Sequence, residues 1–101
     1  MDTKQLVLDA KARFAHNSAK DYLKEKYESR LLVAEQGGLW RADVQTISFL
    51  HACPHKEVVI IDTFNNPVKV NRSTLVEKLG EVYSSVMQEW YNEWKELENN
   101  R

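Results

Sequence analysis

The only cluster of side chains suited to metal or nucleophile chemistry is His51-Ala52-Cys53-Pro54-His55. A structural zinc takes four ligands in a tetrahedron, and three donors so close in sequence would strain it. No second Cys or His group stands elsewhere, and His16 is isolated. The same residues read as a helix C-terminus, with histidines near the last carbonyls and Cys53 packed as a small apolar side chain. A catalytic Cys–His pair needs thiol and imidazole to meet in space, which adjacency does not supply. No serine sits in a Gly-framed elbow, and GxGxxG, P-loop, HExxH and EF-hand patterns are absent. Asp62 is a lone carboxylate at the end of an apolar strand, and Asn65 and Asn66 beside it favour a turn acceptor over a catalytic acid. The expectation is a protein that is not an enzyme, with no catalytic residue, no metal and no cofactor.

Aromatic residues form the other conspicuous group. Trp90-Tyr91-Asn92-Glu93-Trp94 places two Trp on one helix face and Tyr91 on another side. Such residues either cover a small sheet or anchor an interface, and both uses bury the same area. Trp40, beside a Gly-Gly turn, is partly exposed on a short hairpin unless something covers it. Trp40, Tyr83, Trp90, Tyr91 and Trp94 are therefore the candidate partner-binding anchors. Glu89, Glu93 and Glu96 around the cluster repel phosphate, so nucleic acid is not expected as a partner.

The chain has 101 residues, 43% hydrophobic and 29% charged, with 3 Gly and 2 Pro. That excludes a disordered, collagenous or disulfide-stapled chain and predicts one domain over residues 1–101. Its core is small, so an oligomer or partner is expected to add to it. Net charge is −1, which gives no reason to expect an anionic membrane or nucleic acid as partner. No apolar run approaches a membrane span, Leu6-Val7-Leu8 is too brief for a signal peptide, and the single Cys53 fits a reducing cytoplasm. Residues 1–30 carry seven basic against five acidic side chains, and residues 73–101 six acidic against three basic. The two ends can attract each other within one fold or between copies. Exposed pairs are worth only ~0.2–1 kcal/mol each, so they bias alignment rather than drive assembly.

Residues 3–28 lack Gly and Pro and favour a long helix, with Asp2 or Thr3 as cap, Asp9 to Arg13 and Asp21 to Lys24 as pairs, and a weak point near Asn17. Its apolar positions are Leu6, Ala10, Phe14, Leu23 and Tyr27, and Ala12, Ala15 and Ala19 would let another helix approach closely. Leu31–Glu35, Gln36-Gly37-Gly38 and Leu39–Arg41 predict a hairpin with its glycines at the positive-φ positions. Asp43 caps a short helix over Val44–Ala52, which Pro54 ends. Glu57–Phe64 is the strongest strand, and Val58-Val59-Ile60-Ile61 predicts a strand covered on both faces. Asn65-Asn66 supplies the next turn and Val68–Val70 the returning strand. Asn71 or Ser73 caps the last helix, Thr74 and Glu77 fit a capping box, and the helix runs to about Leu97. Its stripe of Val76, Leu79, Tyr83, Val86, Trp90 and Leu97 is broken by Glu93. The expected fold is α+β, with two long helices packed on a small, mostly antiparallel sheet of two hairpins and a short helix between the hairpins.

Two phrases, Gly38-Leu39-Trp40-Arg41-Ala42-Asp43 with Val44-Gln45-Thr46-Ile47, and Asp62-Thr63-Phe64-Asn65-Asn66-Pro67-Val68-Lys69-Val70, stand in an element order that resembles small tailed-bacteriophage proteins. The resemblance is to the uncharacterised domain of tail-fibre assembly chaperones and minor virion proteins, and Leu75–Leu97 matches its closing helix. It implies a protein–protein role in tail or virion assembly, with a phage structural or tail-fibre protein as partner, in the host cytoplasm or the virion. The rival expectation is an inhibitor that binds a host enzyme or defence protein through the acidic, aromatic C-terminal helix. Third comes an enzyme using Cys53 with His51 or His55.

Overall fold

The order helix, hairpin, short helix, hairpin, helix is realised as α1 (Thr3–Arg30), β1 (Leu32–Glu35), β2 (Gly38–Arg41), α2 (Val44–Ala52), β3 (Glu57–Ile61), β4 (Pro67–Asn71) and α3 (Arg72–Asn99). This computed structural model describes residues 3–100, with side chains described from Ala15 to Asn100. The fold is α+β, and its two long helices and the short helix between the hairpins stand as the sequence predicts. Helix α1 is continuous through Asn17. Asp2 as cap, the Asp9–Arg13 pair and the side chains of Leu6, Ala10, Ala12 and Phe14 lie outside the described residues. Lys24 reaches Glu28 at 4.0 Å, one turn on, rather than Asp21.

The first hairpin turns on two residues, Gln36 and Gly37, with φ of 49° and 82°. Positive φ at both central positions matches the right-handed twist of the flanking strands. The sequence predicts its two glycines at these positions, but Gln36 takes the first and Gly38 belongs to β2. Gly38 is needed for another reason: a Cβ there would sit 2.5 Å from the Trp40 ring. Gln36 tolerates its backbone because its amide is bound twice. Asn71 N–H donates to Gln36 Oε1 (2.7 Å), and Gln36 Nε2 donates to Asn71 C=O (3.3 Å). That side chain ties the first turn to the end of the second hairpin.

The helix starts follow local chemistry. Asp43 accepts from Thr46 N–H at 2.8 Å, and Asn71 accepts from Thr74 N–H at 3.0 Å. Since Asn71 is the cap, Thr74 is the third residue of α3, and the expected Thr74–Glu77 box is not the start.

The hairpins form two separate two-stranded sheets rather than one. In β3 the apolar run alternates: Val58 and Ile60 are half-buried, whereas Val59 and Ile61 are 58% and 60% exposed. The expectation of cover on both faces therefore fails, because helices lie against one face only. The core runs from Leu50, Leu75 and Leu79 in the head to Tyr27 and Val86 between the long helices.

The long helices run antiparallel: Arg30 meets Glu89, Lys26 meets Glu93, and Lys20 and His16 meet Glu98. Glu98 is nearly the last residue of α3, so the first turns of α1 run past its end. The molecule measures 65 × 25 × 20 Å with a radius of gyration of 19.2 Å, against ~13 Å for a compact chain of this length. Gln36→Asn offers a residue better suited to positive φ but too short to reach Asn71. It is expected to lower stability by about 1 kcal/mol, read as a lower urea midpoint at unchanged slope.

Candidate functional site

An open groove of about 470 Å3 lies where β2, α2 and β3 meet. Leu39, Trp40 and Arg41 form one wall, Gln45, Thr46 and Phe49 of α2 a second, and Val59–Thr63 the third. The sequence positions these walls through one residue. Asp62 directly follows β3, is buried, and accepts from the backbone N–H groups of Phe64 (3.0 Å), Asn66 (3.0 Å) and Leu39 (3.2 Å). The Asn66 bond, helped by those from Leu39 and Phe64, holds its carboxyl below the usual aspartate range against the opposing effect of burial. Thr63 N–H donates to Leu39 C=O at 2.9 Å, the one backbone bond between the hairpins. Strands β2 and β3 themselves are not paired, and the groove opens between them. Phe49 is 52% exposed at its edge, beside the exposed Val59 and Ile61.

The five candidate aromatics separate. Trp40 is corrected from exposed anchor to core: it is 2% exposed, its ring lies over Gly38, and its Nε1 donates to Glu35 C=O at 2.8 Å. Tyr83 is half-buried against the core, and Trp90 stacks on Tyr27 at 5.9 Å between centroids and 10° between planes. Tyr91 and Trp94 remain substantially exposed and lie side by side, 6.1 Å apart. Residues that sequence reasoning missed are Phe49, Val59 and Ile61. The apolar run hid the two strand residues inside an assumed core, and Phe49 falls off the Ile47–Leu50 face of α2.

Glu93 breaks the apolar stripe of α3 because it bonds across to α1. It accepts from Lys26 Nζ at 2.6 Å and from the Tyr27 hydroxyl. The Lys26 hydrogen bond, then that of Tyr27, holds Glu93 below the usual glutamate range. Glu93 in turn holds Lys26 and Tyr27 above their ordinary values. Both cations beside it, Lys26 and Arg30, also lie near the face of the Tyr27 ring, at 5.2 and 5.1 Å.

The histidine and cysteine cluster is dispersed around the end of α2. Cys53 is the C-cap, its N–H donating to Phe49 C=O, while His51 and His55 are exposed. Among the described residues no hydrogen bond joins Cys53 Sγ to an imidazole, and no group of three His, Cys, Asp or Glu side chains is placed to hold a metal. No described helix is long and apolar enough to cross a membrane. Comparison with known proteins finds no matching family model, no matching curated protein and no matching solved structure.

Trp90→Ala is expected to lower stability by about 2–3 kcal/mol, whereas Trp94→Ala, at a surface position, should leave thermal melting nearly unchanged. Groups with depressed values, Asp62 and Glu93, stabilise the fold above the unfolded carboxyl range and lose that contribution as acid protonates them. Groups with raised values, Lys26 and Tyr27, stabilise it below their unfolded range and lose that contribution in alkali. Stability should therefore fall below about pH 4 and above about pH 10. Glu93→Gln should flatten the alkaline limb and part of the acid limb, the Asp62 part remaining; urea midpoints across pH check both.

Proposed function

We propose that this chain is a protein–protein interaction module, a minor structural component or assembly chaperone of a bacteriophage tail or virion. The observation that carries the interaction reading is the grouping of Phe49, Val59 and Ile61, all more than half exposed, around one apolar groove. Scattered exposed hydrophobics are ordinary, but a contiguous set lining a concavity is a contact surface. Tyr91 and Trp94 offer a second patch on α3, of the residue types that dominate interface energies. The phage setting rests on the element order and the two quoted turn phrases.

The rival reading, a host-directed inhibitor acting through an acidic helix, gains little from the charges of α3. Glu89, Glu93 and Glu98 already face Arg30, Lys26 and Lys20 of the same chain. A basic host protein would have to displace these contacts.

A tagged pull-down from infected and uninfected host lysates, read by mass spectrometry, tests the proposal. Tail or fibre proteins recovered only from infected cells are the expected result. One host protein recovered from both lysates would make the inhibitor the better reading.

A further inference from the structure

We propose that the groove receives an extended peptide segment of a partner protein, which adds as a strand to the free edge of β3 and sets a carboxylate against Arg41. This deepens the interaction-module reading and rests on it. The parity of the second hairpin defines the edge. Asp62 N–H donates to Asn66 C=O and Arg72 N–H to Lys56 C=O, so even-numbered residues of β3 face β4. Glu57, Val59 and Ile61 turn their N–H and C=O groups the other way, toward the groove. Among the described residues no strand pairs with that side.

The two edges of this hairpin are treated differently. On the outer edge of β4, Pro67 has no N–H, Lys69 is charged, and both backbone groups of Asn71 are bound by Gln36. Proline, lysine and a capping side chain are the usual means of blocking an added strand. The β3 edge carries none of these over Val59–Ile61, and the same two residues present their apolar side chains to solvent. An unblocked edge beside an apolar groove recognises an extended chain through main-chain hydrogen bonds and alternate side chains.

Charge and shape narrow the occupant. The groove walls hold two charged residues, Asp62 and Arg41. Asp62 is engaged by three amides, whereas Arg41 is exposed and has no ion pair among the described residues. An acidic side chain on the incoming strand is its complement. A second copy would bring β4 alongside β3 into a space already walled by α2 and β2, so a single strand fits better than another hairpin.

The test uses the full chain and three synthetic peptides of about eight residues, with Val or Ile at alternate positions and Glu, Gln or Lys at the centre. Binding is followed by amide NMR and hydrogen exchange. The Glu peptide is expected to bind at least about tenfold tighter than the Lys peptide and to protect the Val59 and Ile61 amides. Arg41→Glu should invert the Glu-over-Lys preference. Val59→Pro removes an N–H that the β3–β4 ladder does not use, and should abolish binding. The proposal fails if none of the peptides binds at about 1 mM, if Arg41→Glu leaves the preference unchanged, or if shifts gather at Tyr91 and Trp94. Self-association of the free protein that Val59→Pro removes would make a second copy the occupant and also overturn it. If a partner from the pull-down is lost with Trp94→Ala but kept with Val59→Pro, this inference fails while the interaction module stands.

Discussion

Asp62 is buried where β3 ends, and its two oxygens accept from the backbone amides of Phe64, Asn66 and Leu39. The first two bonds close the turn into β4, and the third holds β2 beside it. A ladder between β2 and β3 would offer the Leu39 amide a backbone carbonyl; here a side-chain carboxylate takes that place. With Leu39 N–H held by Asp62 and Leu39 C=O by Thr63, pairing between the hairpins stops at one residue. The boundary between the two sheets, the groove and the free edge of β3 all meet at this junction.

A second constraint governs the other end of the molecule. Where α1 and α3 leave the head, they share no sheet and must hold each other through one narrow seam. Tyr27 stacked on Trp90 supplies the apolar part, and Glu93 receives Lys26 and the Tyr27 hydroxyl beside it. A charged residue inside an apolar stripe is costly unless its partners arrive with it. Here it fixes the register of two long helices that Leu and Val contacts alone would specify poorly. Glu89, Glu93 and Glu98 of α3 thus meet Arg30, Lys26 and Lys20 of α1 within one chain.

Much of the fold could be read from local chemistry. Asp43 and Pro54 bound α2, the Gly-containing turn makes the first hairpin, and Glu93 stands out as the break in an otherwise regular stripe. What escaped reading depends on contacts distant in sequence. Gln36 adopts positive φ because Asn71, on another hairpin, holds its amide. Trp40 is buried because its ring turns back over Gly38, which no propensity encodes. The run Val58-Val59-Ile60-Ile61 gave the right strand and the wrong environment. Sequence pattern reports which faces are apolar, and only topology reports which of them the chain can cover.

That last mismatch carries the functional argument. Val59 and Ile61 are each more than half exposed, so covering them recovers on the order of 1–2 kcal/mol apiece. Association costs at least about 4 kcal/mol in lost translation and rotation, so these two side chains cannot support binding by themselves. A strand docked on β3 would add main-chain hydrogen bonds made to an edge already held rigid by β4 and Asp62. Preorganisation lowers the ordering cost on the protein's side and leaves most of it on the peptide. Such a contact would be reversible and selective for extended chains.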